Sequence, residues 1–199
     1  MVGTKCSLNS FTFLGLWCYA VVQAPYRQGD VMLGGLFSIR HLQGTSEDKC
    51  GEITKDVAHA QAMIFAIDKI NNDSNLLPSI SLGYDIRDYC ESITKATQIT
   101  YELFKDKCYV NTTLSKLGKG SIVALIGPTH SSTAIVIGGF LEMRNISGIS
   151  GTTTSAELSS HTYKHLYRTV AADTYLAKAV ADIIDHFNWT YVAAVAVDD

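Results

Sequence analysis

The apolar residues of this chain change period repeatedly, from short runs or alternation to spacings of three and four, and each change marks a new element. Met32 to Ile39 (MLGGLFSI) is a glycine-containing apolar run that predicts a first buried strand, and the polar stretch His41 to Cys50 predicts a loop. Asp56 stands as the cap of a helix whose Val57, Ala60, Met63, Ile64, Ile67 and Ile70 share a face, ending in Asn71, Asn72 and Asp73. Ile80, Leu82, Tyr84 and Ile86 alternate with Ser81, Gly83 and Asp85, the period of a half-buried strand running up to Cys90. Ile93, Ala96, Ile99, Leu103 and Phe104 form a second helical stripe, and the polar stretch Asp106 to Gly120 predicts an exposed loop.

The centre of the pattern is Ser121 to Ser132 (SIVALIGPTHSS), read as buried strand, tight turn and helix start. The helix it opens carries Ile135, Ile137, Phe140, Leu141 and Met143 on its apolar side. Ile146 to Ser150 predicts a strand and Gly151 to Ser155 (GTTTS) a second hydroxyl-rich turn. Leu166 to Val170 follows as a strand, Asp173 opens a helix with Leu176, Val180, Ile183, Ile184 and Phe187, and Tyr191 to Val197 predicts a last strand. Such alternation predicts an α/β fold with a mainly parallel sheet and helices on both faces. Ligands of such sheets bind beyond the carboxyl ends of the strands, where helix N–H groups and hydroxyls suit an anion. Ser131, Ser132, Thr152 and Thr154 therefore become candidates to line one crevice, against the plainer reading of helix capping and turn geometry.

Composition narrows what that crevice can serve. With 199 residues and a formal net charge of −3, the chain has the size of a domain with a real core and no basic surplus for nucleic acid. Residues 1–24 carry Lys5, an apolar core from Phe11 to Val22 and small residues at Ala20 and Ala24, the pattern of a cleavable secretory signal; a buried or anchoring helix is the alternative. No later apolar run is long enough to cross a bilayer. Loss of Cys6 and Cys18 with the signal leaves Cys50, Cys90 and Cys108, hence one bridge and one spare thiol in an oxidising compartment. Without a C-x-x-C pair or a histidine cluster at ligand spacing, no metal site is expected. Sequons at Asn72, Asn111, Asn145 and Asn188 agree with passage through a glycosylating pathway.

Catalytic patterns are missing. No G-x-S-x-G elbow surrounds Ser131 or Ser132, and His130 beside Ser131 makes no dyad, because adjacent side chains do not generally reach bonding geometry. Gly118 to Ser121 (GKGS) lacks the spacing of a phosphate loop and precedes a strand instead of linking strand to helix. A binding protein without a cofactor is the expectation, and an enzyme the weakest alternative.

The ordered segments GDVMLGGLFSI, CGEI, AQAMIFAIDKINND, LLPSISLGYDIRDYC, ALIGPTHSS, GTTTSAELSS, YRTVAADTYLAKAVADII and NWTYVAAV cover nearly everything after the signal. Together they resemble the extracellular Venus-flytrap domain of class C G-protein-coupled receptors, most closely the metabotropic glutamate receptors, with calcium-sensing receptor character in AQAMIFAI and LGYDIRDYC. The resemblance implies a type I periplasmic-binding-protein-like fold in which two lobes close on an amino acid and rearrange a receptor dimer. Residues 25–170 then correspond to lobe one and 171–199 to a truncated beginning of lobe two. It also implies ligand contacts: Ser131, with Ser132 beside it, for the α-carboxylate; Thr152, Thr153 and above all Thr154 for carboxylate and amine; and Asp173 near the ammonium, alongside its plain reading as a helix N-cap.

One position departs from the glutamate-binding pattern. Where those receptors place an arginine on the side-chain carboxylate, this chain has His59, across a two-residue length difference upstream. A mostly neutral imidazole makes no bidentate fork, so an amino acid other than glutamate, or an orphan pocket, is expected; the plainer reading is a helix-surface histidine. The resemblance further implies a Cys50–Cys90 bridge and an intermolecular bond through Cys108, with a buried free thiol as the alternative. Implied partners are a small amino-acid-like ligand, a homodimeric or heterodimeric protomer meeting lobe one, and a G protein through a membrane domain beyond this sequence. The implied location is the secretory pathway and the outer face of the plasma membrane. Rival readings are a soluble or single-pass-receptor-linked periplasmic-binding-like module, and a dimerisation partner that has lost its ligand.

Overall fold

The computed structural model describes residues 25–44, 49–105 and 120–195. Residues 1–24, where a secretory signal was expected, and Cys108 and Asn111 lie outside them. Strands β1 (Tyr26–Arg27), β2 (Val31–Phe37), β5 (Leu82–Asp88), β6 (Ser121–Ile126), β7 (Ser147–Ser150) and β8 (Leu166–Arg168) form a six-stranded sheet in the order β1-β5-β2-β6-β7-β8. All neighbours pair in parallel except β1, which runs antiparallel on β5. Strands β3 (Arg40–Leu42) and β4 (Cys50–Ile53) make a separate antiparallel pair. The helices are α1 (Val57–Asn72), α2 (Ile93–Phe104), α3 (Ser131–Arg144) and α4 (Asp173–His186).

Helix α1 leads from β2 outward to β5, whereas α2 leads from β5 back across β2 to β6. The direction of winding therefore reverses between β2 and β6, and the carboxyl ends of these neighbours splay into a crevice. Two cores flank the sheet, as the alternation of strand side chains requires. On one face Ala60, Met63 and Ile67 of α1 pack with Phe37, Leu82, Tyr84 and Ile86. On the other, Ala96 and Phe104 of α2 and Ala134, Ile137 and Leu141 of α3 pack with Leu36, Leu125 and Leu166.

Several expectations change. The stretch from His41 to Cys50, read as loop, is bounded by β3 and β4, whose hairpin is pinned when Arg40 donates to Asp88 at 2.7 Å. Strand β5 is not half-buried: Leu82 to Ile86 are all buried, because the strand lies between β1 and β2 with α1 over one face. In β6 only Leu125 is fully buried, where a wholly buried run was expected. Asp56 makes no side-chain cap of α1 and is itself in helical conformation; Thr54 Oγ1 accepts its amide at 3.0 Å.

Met143 does not join the buried side of α3. It is 69% exposed, since Ala134, Ile137, Gly138 and Leu141 set the buried stripe and Met143 lies about half a turn from Leu141. Residues 191–195, within the strand expected at Tyr191 to Val197, are irregular and exposed; an apolar run becomes a strand only beside a pairing partner, and none of the described residues provides one. Ala196 and Val197 lie outside the described residues.

Candidate functional site

The crevice is built from the turns that leave β6 and β7. Gly127 closes it from below: its φ of +106° suits glycine, and an added Cβ would lie 2.1 Å from the carbonyl oxygen of Leu36 on β2. Gly127 also donates to the Ile149 carbonyl at 2.8 Å, which prolongs the β6–β7 pairing into the turn. The two turns are then tied side chain to backbone. Ser150 Oγ donates to Pro128 O at 2.8 Å, and Thr152 Oγ1 donates to Thr129 O at 2.8 Å.

Ser131 is the next tie. It is the first residue of α3, after His130 as N-cap, and its Oγ accepts the amides of Thr154 at 3.1 Å and Ser155 at 3.3 Å. With its lone pairs used by those amides, the Ser131 hydroxyl can meet a further partner only as a donor. Thr154 in turn accepts the amide of Asp173 through its carbonyl at 2.8 Å, so the first residue of α4 is anchored to the same turn. The chain thus brings Ser131, Thr152, Thr154 and Asp173 together. Ser132 is exposed one position further along α3. Thr153 differs: it is fully buried, with a hydroxyl that has no hydrogen-bond partner, and faces the interior.

Asp173 is exposed and begins α4, but Ala172 is the N-cap residue and no side-chain cap forms. Its carboxylate is therefore not consumed by capping. His59, half-buried on α1, reaches the rim of the crevice beside Thr129 and Thr152. Its Nδ1 is buried without a hydrogen-bond partner and stands 3.6 Å from Asp56 Oδ1, too far for a normal hydrogen bond. Below that rim a cavity of about 350 Å³ opens between α1 and the sheet.

The patterns of apolar and polar positions do not single out Tyr89. It is fully buried at the end of β5, and its hydroxyl lies 3.0 Å from Thr129 Oγ1 and 2.7 Å from His130 Nδ1. Burial pushes its pKa above the ordinary tyrosine value, partly offset by hydrogen bonds from neighbours including Thr129. The phenol stays protonated and holds the β6–α3 turn from beneath. His130 is therefore bonded to Tyr89, while Ser131 is bonded to the second turn. Arg168 supports that second turn by donating to Ser155 O at 2.8 Å. An aromatic residue directly before Cys90 was the one available signal for Tyr89.

Cys50 and Cys90 form a disulfide, joining β4 to the carboxyl end of β5 next to the crevice. Asp88 lies close to both sulfurs, yet these are already bonded to each other. Asn72, Asn145 and Asn188 are all exposed, at the end of α1, the end of α3 and just beyond α4. Among the described residues no helix is long and apolar enough to cross a membrane.

The family model described as the receptor family ligand binding region matches residues 58–199, most of the chain. The sheet order and the mostly parallel pairing are those of the type I periplasmic-binding-protein-like fold.

Proposed function

Because the chain belongs to the receptor-family ligand-binding region, an extracellular module, we propose that it recognises a free α-amino acid as part of a class C G-protein-coupled receptor. The observation that carries this reading is the bond from the Thr154 amide to Ser131 Oγ, which makes two hydroxyl turns one surface at the switch point of the sheet. On that surface the Ser131 hydroxyl and the first N–H groups of α3 hold an α-carboxylate, and the Thr154 hydroxyl adds a further donor. The exposed Asp173 carboxylate offers the opposite charge to an ammonium. A zwitterion satisfies both poles, whereas a simple anion leaves Asp173 opposed by a like charge.

The role is binding, with no chemical step. In the full receptor the second lobe closes over the ligand, protomers meet through lobe one with Cys108 as covalent link, and a membrane domain passes the signal to a G protein. Thermal unfolding of the full-length protein with each common amino acid tests the core of this reading. At a hundred times its Kd, a cognate ligand adds about 2.7 kcal/mol of stability and raises Tm. Asp173→Asn, at an exposed position, abolishes that rise and leaves the unliganded Tm in place. A folded protein that no amino acid stabilises overturns the proposal.

A further inference from the structure

We infer that the Cys50–Cys90 bond is a thiol-exchange site, where a small thiol of the glutathione type attacks Cys50 and Lys95 receives the departing Cys90 thiolate. The inference goes beyond the ligand crevice and does not depend on what binds there. Lys95 Nζ lies 3.1 Å from Cys50 Sγ and 3.4 Å from Cys90 Sγ. A closed disulfide is a neutral, weak acceptor from which an ammonium gains little, whereas a thiolate in the same place is a full opposite charge. Lys95 is the third residue of α2, after Ser92 as N-cap, and Cys90 stands two residues ahead of that cap. The positive end of the helix therefore acts in the same direction as the ammonium.

Exposure decides which sulfur is attacked and which leaves. Cys90 is fully buried, whereas Cys50 is partly exposed and lines an open cavity of about 520 Å³ with His41, Gln43 and Glu52. A thiolate arriving there forms a new S–S bond to Cys50 with its own electron pair, and the pair of the old bond passes to Cys90. Cys90 is left as a thiolate against Lys95, and the number of disulfides is unchanged. A second thiol then attacks the added group's sulfur, frees Cys50 as a thiolate and carries away a symmetrical disulfide, so that the protein gains two electrons and two thiol molecules lose them. Nearby carboxylates would oppose a thiolate, but they are engaged or solvated. Asp88 lies within 4.8 Å of both sulfurs, yet its charge is met by Arg40 at 2.7 Å and by the amides of Ile39 at 3.0 Å and Cys90 at 2.9 Å. Glu91 pairs with His41 at 3.0 Å, and Glu52 is exposed to water. Lys95 is thus the charge placed to act on the departing sulfur.

Exposure of the folded full-length protein to reduced glutathione, without denaturant, tests the inference, with acid quenching and peptide mass spectrometry at Cys50 and Cys90. The first glutathione adduct is expected on Cys50, at a rate proportional to thiol concentration. Lys95→Met, which keeps the aliphatic stem and removes the charge, should slow opening of the bond about three- to ten-fold, since one pKa unit in the departing thiol is worth at most about a factor of ten. Lys95→Arg, which keeps the charge, should retain most of the wild-type rate. Lys95→Gln repeats the test should the methionine variant fail to fold. Equal rates in wild type and the uncharged variants overturn the inference, as does a first adduct on Cys90. A rate independent of thiol concentration also overturns it, because the bond would then be reached only through unfolding. None of these outcomes bears on amino-acid binding in the crevice, which the thermal unfolding experiment tests separately.

Discussion

At the scale of single residues, the crevice depends on groups buried behind its lining. Tyr89 is the clearest: a buried phenol whose hydroxyl meets Thr129 and His130, the residues just before Ser131. Tyr89→Phe keeps the ring and its edge-on contact with the His130 ring while deleting the hydroxyl. The expected cost is about 1–2 kcal/mol in urea unfolding, from lost hydrogen bonds and from a Thr129 hydroxyl left without that partner. Ligand affinity falls as well, because the turn that presents Ser131 loosens. An unchanged midpoint with unchanged affinity would show that the hydroxyl supports nothing. The hydroxyls of the two turns were legible in the sequence because they cluster locally and resemble a known order. Tyr89 was not, since its partners lie some 40 residues away and no local pattern links them. Thr153 sits among exposed-looking neighbours, yet only backbone geometry decides that it points inward.

At the scale of elements, period was a good guide wherever one face packs on the sheet. Helices α1, α2 and α3 were foreseen because Ala60, Met63, Ala96, Ile137 and Leu141 fall at helical spacing and all reach the core. Burial of β5 on both faces was not foreseen, because Gly83 and Asp85 read as polar alternation; Asp85 is in fact buried against Arg87, which donates to it at 2.6 Å. Connections carry their own energetics, as the contact between the end of α3 and the loop before β8 shows. There His165 Nδ1 meets Glu142 Oε2 at 2.8 Å. That hydrogen bond holds the Glu142 carboxyl below its ordinary pKa, against the opposing effect of desolvation. A depressed carboxylate pKa stabilises the fold fully above the unfolded-state value, about 4.3 for glutamate, and the benefit disappears as pH falls through the lower folded-state value. Wild type should therefore exceed Glu142→Gln in urea stability near neutral pH, with the gap closing in acid. A gap that stays constant from neutral pH into acid would mean that the charge of Glu142 is not what the contact uses.

At the scale of the whole molecule, the three cysteines after residue 24 divide into one pair that shapes the fold and one residue proposed to join copies of it. The Cys50–Cys90 bond spans a sequence separation of 40 and ties the β3–β4 hairpin to the end of β5, the same edge that carries Tyr89 and the crevice. Closing a loop of that length restricts the unfolded chain by about 4 kcal/mol in the chain-entropy account. Replacing both cysteines by serine should therefore lower stability by several kilocalories and weaken ligand binding, since the hairpin no longer braces Asp88 through Arg40. Cys108→Ser is expected to do the opposite on both counts: unfolding and ligand affinity stay as they were, while a covalent dimer band vanishes from a non-reducing gel. The pair of variants separates the roles because each has a readout that the other leaves alone. A dimer band that survives Cys108→Ser removes this cysteine as the link, and a Cys50→Ser/Cys90→Ser protein as stable as wild type removes the bridge as a brace of the crevice.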